Sequence, residues 1–316
     1  ALQTAQIAAL ATVQAQALTT AQAIALTTKQ VAAIVTSNMA VLATDAISVM
    51  LSEQIIALRT DQALALTTKQ AVALTSDQML ALETQDFASL STSAIQALAT
   101  GIVSILSSAD IIALTTAQAQ ALATQQAYAL TTSQIESLET RDLVAVTTNA
   151  IAALSSDQIV ALRTDQAFAL ATKQAVALTT EQLVSMETQD FAALSTNSIA
   201  ALLTAQIAAL LTSELVALRT DQALALTTQQ IVALATAQVA ALETDDFSAI
   251  STRSMAALTT SQVFAITTAQ AQSLSTQQAV ALGTSQIAAL QTPDDSSALN
   301  TSAVAALLTS QIVALT

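Results

Sequence analysis

Residues 1–32 read ALQTAQIA ALATVQAQ ALTTAQAI ALTTKQVA, four consecutive octads of one pattern, A-L-x-T-x-Q-φ-x, where φ is apolar. The register runs on without insertion to Ala288. Position two is always Leu, Ile, Met or Val, and position four is always Thr or Ser, the Ser cases being Ser52, Ser76, Ser108 and Ser156. A single nine-residue unit, ALQTPDDSS at 289–297, interrupts the pattern before it resumes as ALNTSAVA, ALLTSQIV and ALT. With no linker or composition shift elsewhere, the expected organisation is one continuous octapeptide-repeat solenoid over 1–316, because strict self-similarity at a short period marks stacked repeats.

Eight residues are not a whole number of 3.6-residue turns, so a single long helix would rotate its apolar face steadily around its axis. The unit must turn the chain. A short helix led by the position-four hydroxyl meets that need, since Thr and Ser are preferred N-caps. Thr20, Thr28, Thr60, Thr164, Thr220 and Thr292 are the expected caps, and Pro293 follows Thr292 where proline suits a first helical position. Acidic residues gather at positions five and six, among them Asp45, Asp86, Asp190 and Glu214, near the positive end of such a helix. Helices this short do not stand alone, so stacking must hold them, through the apolar quartet at positions seven, eight, one and two. The predicted fold is an all-α solenoid of short helices, one per octad, with about three octads per coil. A β-solenoid is the alternative, since Thr and Val favour strands, but β-coil corners draw on Gly and this chain has only Gly101 and Gly283.

A longer period lies above the octad. The stretch from Ala57, ALRTDQALALTTKQAVALTSDQMLALETQDFA, returns thirteen octads later from Ala161 as ALRTDQAFALATKQAVALTTEQLVSMETQDFA. Octads that lack the position-six Gln after an acidic octad, at Ala94, Ala150, Ser198 and Ser254, recur at seven, six and seven octads. Arg59 precedes Glu83 by three octads, as Arg163 precedes Glu187 and Arg219 precedes Glu243. On a coil of slightly more than three octads these would form ion pairs between neighbouring coils.

Composition narrows the function. The chain is 53% apolar and 9% charged, with a net charge of -14 and eight Lys and Arg in all, too few for a phosphate-binding surface. Nucleic acid and anionic membrane surfaces are therefore not expected partners. The mean hydropathy of +0.60 comes from evenly spread Ala and Leu, interrupted every few residues by Thr, Ser and Gln, so membrane insertion is not expected. Neither Cys nor His is present, which leaves no disulfide, no zinc spacing and no assisted nucleophile; no cofactor and no enzymatic activity are expected. The motif LETxDF, at Glu83, Asp86 and Phe87 and again at Glu187, Asp190, Phe191 and Glu243, Asp246, Phe247, reads as a specialised corner or as a cation or partner contact. Asp245 with Asp246, or Asp294 with Asp295, lack the convergent oxygens and turn glycine of a Ca²⁺ site.

The phrase from Leu18 to Gln22 resembles the helix start of TAL-effector repeats, but those repeats are about four times longer and carry basic surroundings that this acidic octad lacks. Over nearly its whole length the chain resembles the ALTTxQ octapeptide arrays of large secreted bacterial repeat proteins, a likeness that implies an extracellular or cell-surface setting and lends no site residue. The chain starts with ALQTAQIA and stops at Ile312, Val313, Ala314, Leu315 and Thr316, in mid-pattern at both ends. The sequence therefore reads either as a segment of a longer chain or as a subunit whose ends meet further repeats or other copies. The expected function is structural, as part of an extracellular filament, stalk or sheath. A repetitive ligand-binding surface for ice or a polysaccharide, or an adhesin, is the alternative.

Overall fold

The computed structural model describes residues 2–290 and 299–315. Among them, each octad forms one helix of four to six residues, from α1 (Thr4–Ala8) to α38 (Thr309–Ala314), and no strand occurs. The residues divide into two compact units, Ala1–Ala161 and Leu162–Thr316, each built from the same octad.

The helix α9 (Thr68–Ala73) shows how the octad works. Its N-cap Thr67 and the Leu74 that ends it are both extended, at φ -70°, ψ 159° and φ -61°, ψ 131°. The next cap, Thr75, is extended too, at φ -70°, ψ 166°. Two consecutive extended residues thus turn the chain between helices. No residue among those described has a positive φ, which is why so many corners need no glycine.

The cap lies one residue earlier than the sequence pattern suggests. In α3 (Thr20–Ile24) the N-cap is Thr19, with Thr20 the first helical residue, and in α4 (Thr28–Ala33) it is Thr27 rather than Thr28. Thr60, Thr164 and Thr220 likewise open their helices behind Arg59, Arg163 and Arg219, and Thr292 lies outside the described residues. Position six explains the displacement. Its Gln side chain can close a capping box only with the residue three before it: Gln70 Oε1 accepts from the Thr67 N–H at 2.8 Å, while Thr67 Oγ1 accepts from the Gln70 N–H at 3.4 Å.

Within each unit a helix packs on the third helix before it and the third after it, except past residue 290, where α37 (Thr301–Ala306) packs on α35 (Thr276–Ala281) and α38 on α36 (Thr284–Ala289). The pairs α9 with α6 (Thr44–Ser48) and α9 with α12 (Thr92–Ala97) are typical. Each coil is therefore three octads, and the first unit and the second are both three-sided stacks. The core takes positions seven and two, as in Ile231 with Leu234 and Phe247 with Ile250. Position eight, expected inside, faces out: Leu64 is 63% exposed and Phe168 65%. With the helix starting at position four, positions six and seven fall on its inward face and position eight turns beyond it.

The same position-six Gln ties coil to coil. Gln70 Nε2 donates to the carbonyls of Met39 and Leu42 in the coil beneath, both at 2.8 Å. Gln230 does the same to Ile199 and Leu202, both at 2.8 Å. Each buried amide thus uses both donors on carbonyls at a helix C-terminus, where the position-seven carbonyl also accepts from the position-two N–H (Leu42 to Met39, Leu202 to Ile199), and its oxygen on an amide at a helix N-terminus. The ladder resumes after the nine-residue unit with a one-residue offset. Gln311 Nε2 reaches Ala279, Val280 and Leu282, at separations of 32, 31 and 29 residues, where Gln286 spans 31, 30 and 28. At Ala303, whose side chain carries no amide, Asn300 does both tasks: it accepts from the Ala303 N–H and donates to the Gln272 and Leu274 carbonyls, all at 2.8 Å.

Among the described residues no helix is long and apolar enough to cross a membrane.

Candidate functional site

Position six departs from Gln most sharply where it is acidic. Asp86 opens the first turn of α11 (Thr84–Ser89), Asp190 that of α24 (Thr188–Ala193) and Asp246 that of α31 (Thr244–Ala249). All three are buried, Asp86 completely, and each precedes a buried Phe. A carboxylate cannot donate to the carbonyls beneath, so it accepts instead from the position-four Thr of the coil below. Thr164 Oγ1 donates to Asp190 at 2.7 Å and Thr220 Oγ1 to Asp246 at 2.8 Å. Thr60 stands at the matching place, but neither Asp86 carboxylate oxygen has a hydrogen bond of good geometry.

Burial pushes all three carboxyls above the ordinary carboxylate range. The Thr beneath draws each one back in part, and Glu83, Glu187 and Glu243 on their own helices add to the rise. At Asp246 the charges of Asp245 and Asp221 raise it further. A fourth acidic octad differs. Asp142 in α18 (Thr140–Ala145) is equally buried and accepts from Thr116 at 2.7 Å, but Arg141 lies beside it with Nε 3.5 Å from Oδ2.

The arginines do not form the expected pairs with Glu83, Glu187 and Glu243. α8 (Thr60–Leu64) does stack beneath α11, yet Arg59 turns to Asp61 on its own helix, with Nε to Oδ1 at 2.9 Å and Nη2 to Oδ2 at 3.0 Å. Arg163 with Asp165 and Arg219 with Asp221 repeat the same fork. The two-residue spacing presents the carboxylate edge-on to the guanidinium, a bidentate fit that the next coil does not offer. In each pair the hydrogen bond from Arg holds the Asp below its usual range. These forks are half exposed and worth little to stability. Glu83 and Glu187 instead accept from Gln85 at 3.0 Å and Gln189 at 2.7 Å.

Of the carboxylate pairs weighed as cation ligands, Asp246 is occupied by Thr220, and Asp294 with Asp295 falls outside the described residues. No group of three or more acidic side chains among the described residues is placed to hold a metal ion.

The ALTTAQ repeat family model matches residues 79–116, 135–172, 183–220 and 239–276, together just under half of the chain. No curated protein matches it. Each match begins seven residues before a buried acid: Asp86, Asp142, Asp190 and Asp246 in turn. Each matched stretch thus holds an acidic octad in the same register. The sequence marks these acids through their clustering at positions five and six and through LETxDF, but nothing in the pattern shows that the position-six acids are buried. Asp86 and Asp190, Asp110 and Glu214, and Asp142 and Asp246 are each separated by 104 residues, the thirteen-octad repeat.

The second unit also carries a face without exposed charge. It is formed by the stacked helices α27 (Thr212–Val216), α30 (Thr236–Ala241), α33 (Thr260–Phe264) and α36 (Thr284–Ala289). Leu211, Val216 and Phe264 protrude from it, with Ala235, Ala237 and Ala240 on the helix between them. Glu214, the acid of this face, is buried and accepts from the Leu211 N–H at 2.7 Å. Thr236, Thr260 and Phe264 line a shallow open depression there.

Proposed function

We propose that this array of ALTTAQ repeats is a structural, assembly-forming protein without enzymatic activity, a subunit or segment of an extracellular filament, stalk or sheath. The observation that carries the reading is the uncharged face of α27, α30, α33 and α36. In a chain of net charge -14, copies repel one another over most of their surface. Protruding Leu211, Val216 and Phe264, the last 62% exposed, separated by alanines, offer apolar area that water disfavours and a neighbouring copy can cover. The neighbouring faces carry exposed charge, such as Arg219, Asp221 and Arg253.

The test is assembly in solution. Val216→Lys with Phe264→Lys should abolish association in sedimentation and electron microscopy while the circular dichroism spectrum stays helical. Wild-type protein that sediments only as a monomer at high concentration would sink the reading.

A second reading, a repetitive surface for ice or a polysaccharide, rests on the ranks of exposed position-four hydroxyls. Thr212, Thr236, Thr260 and Thr284 recur once per coil on one face, a spacing suited to a periodic target. Thr236→Lys with Thr260→Lys should then eliminate thermal hysteresis or glycan binding; the absence of either activity in the wild type removes this reading.

A further inference from the structure

At each corner the position-six side chain faces the end of a helix in the coil beneath, where backbone carbonyls need donors. Gln supplies two and an ionised Asp supplies none. Asn38 gives the length scale: its Nδ2 donates to the Leu10 carbonyl, twenty-eight residues back, at 2.7 Å. This is the position-two carbonyl that the Gln ladder uses at Leu42 and Leu202. Asp has the same length and branching as Asn, and its neutral form carries an O–H donor. The carbonyls twenty-eight residues before Asp86, Asp190 and Asp246 are those of Leu58, Leu162 and Leu218.

We propose that Asp86, Asp190 and Asp246 are proton-operated joints between coils. When ionised, each has only the hydroxyl of Thr60, Thr164 or Thr220 to face. On taking a proton from solvent, each donates its O–H to Leu58, Leu162 or Leu218 and completes the ladder that Gln completes elsewhere.

The charges around the joints favour the proton. Asp86 has Glu83 on its own helix, Arg59 and Asp61 beneath, and Asp110 on α14 (Ser108–Ile112) above; Arg59 is engaged by Asp61. Asp190 has Glu187, then Arg163 and Asp165 beneath on α21 (Thr164–Ala169), and Glu214 above on α27. Asp246 has Glu243 and Asp245, then Arg219 and Asp221 beneath on α28 (Thr220–Ala225), and no charged residue above on α34 (Thr268–Ser273). Asp142 is not counted among the joints, because Arg141 lies beside it with Nε 3.5 Å from its Oδ2.

Because the folded chain holds these protons more tightly than the unfolded one, their contribution to stability is full below about pH 4, the unfolded carboxyl range. It is lost as pH rises through the raised folded values.

The experiment compares the full chain with Asp86→Asn/Asp190→Asn/Asp246→Asn by urea unfolding from pH 4 to 8. The triple variant should unfold at higher urea than the wild type at pH 8, and the gap should close toward pH 4. A gap that does not change with pH overturns the proposal. Infrared absorption of the wild type supplies a readout independent of the variant's folding. A neutral-carboxyl band should persist above the pH at which exposed carboxylates have ionised, and Thr164→Val with Thr220→Val should extend it to higher pH. Loss of the band together with the exposed groups, or no response to the Thr changes, also overturns it.

Discussion

The Gln octads and the acidic octads share one backbone and hold it by different means. In α29 (Thr228–Ala233), Gln230 satisfies Thr227 above its corner and Ile199 and Leu202 beneath, and the core residue beside it is Ile231. In α31 the acid gives up the donor bonds, and Phe247 fills the core completely. Phe87 and Phe191 accompany the other two joints, whereas Gln octads often place only Ala there, as at Ala223 and Ala271. Apolar bulk therefore enters where the hydrogen-bonded tie is weakened. A coil can be held by polar bonds or by packing, provided one of them is in place.

The largest effect should come from removing the packing where the tie is weak. Phe247→Ala should cost about 3–5 kcal/mol in urea unfolding, from lost burial plus the cavity left behind. A cost near 1 kcal/mol would show that the ring does not compensate for the acid. Next, Gln230→Leu keeps bulk but leaves the Leu202 carbonyl and the Thr227 N–H without the partner that Gln230 supplies, and takes a second donor from the Ile199 carbonyl. We expect a loss of about 2–3 kcal/mol, seen as faster amide exchange in α29 and in the helices stacked on it. Unchanged exchange would mean the ladder is incidental to cohesion.

The smallest effect lies on the surface. Arg163→Gln frees Asp165, whose carboxyl the Arg holds below its usual range. The sign is opposite to that at the buried acids: this contribution is present above about pH 4 and lost as pH falls through the lowered folded value. Solvent screening should hold the change to a few tenths of a kcal/mol, or about 0.3, measured as the midpoint difference between pH 7 and pH 3.

Much of this was legible in the octad itself. Helix per octad, the corner, and stacking at three octads follow from the period and from the shortness of each segment. The caps were misplaced by one residue because hydroxyls stand at both positions three and four in octads such as ALTTAQAI, and only the partner at position six distinguishes them. Position eight was expected inside because Leu64 and Phe168 are apolar, but inward direction depends on where the helix begins. The Arg and Glu residues were expected to pair because stacking brings their octads together; the nearer Asp wins by geometry that spacing alone does not reveal.

The sequence by itself determined that a helical chain must turn at each octad, since eight residues are not a whole number of helical turns and a continuous helix would rotate its apolar face. It also determined that coils must stack, since helices of four to six residues cannot persist singly. Only the tertiary structure decided what the repeated Gln and its acidic substitutes do. A side chain's partner about thirty residues away is set by the pitch of the coil, and that pitch exists only once the coils have closed on one another.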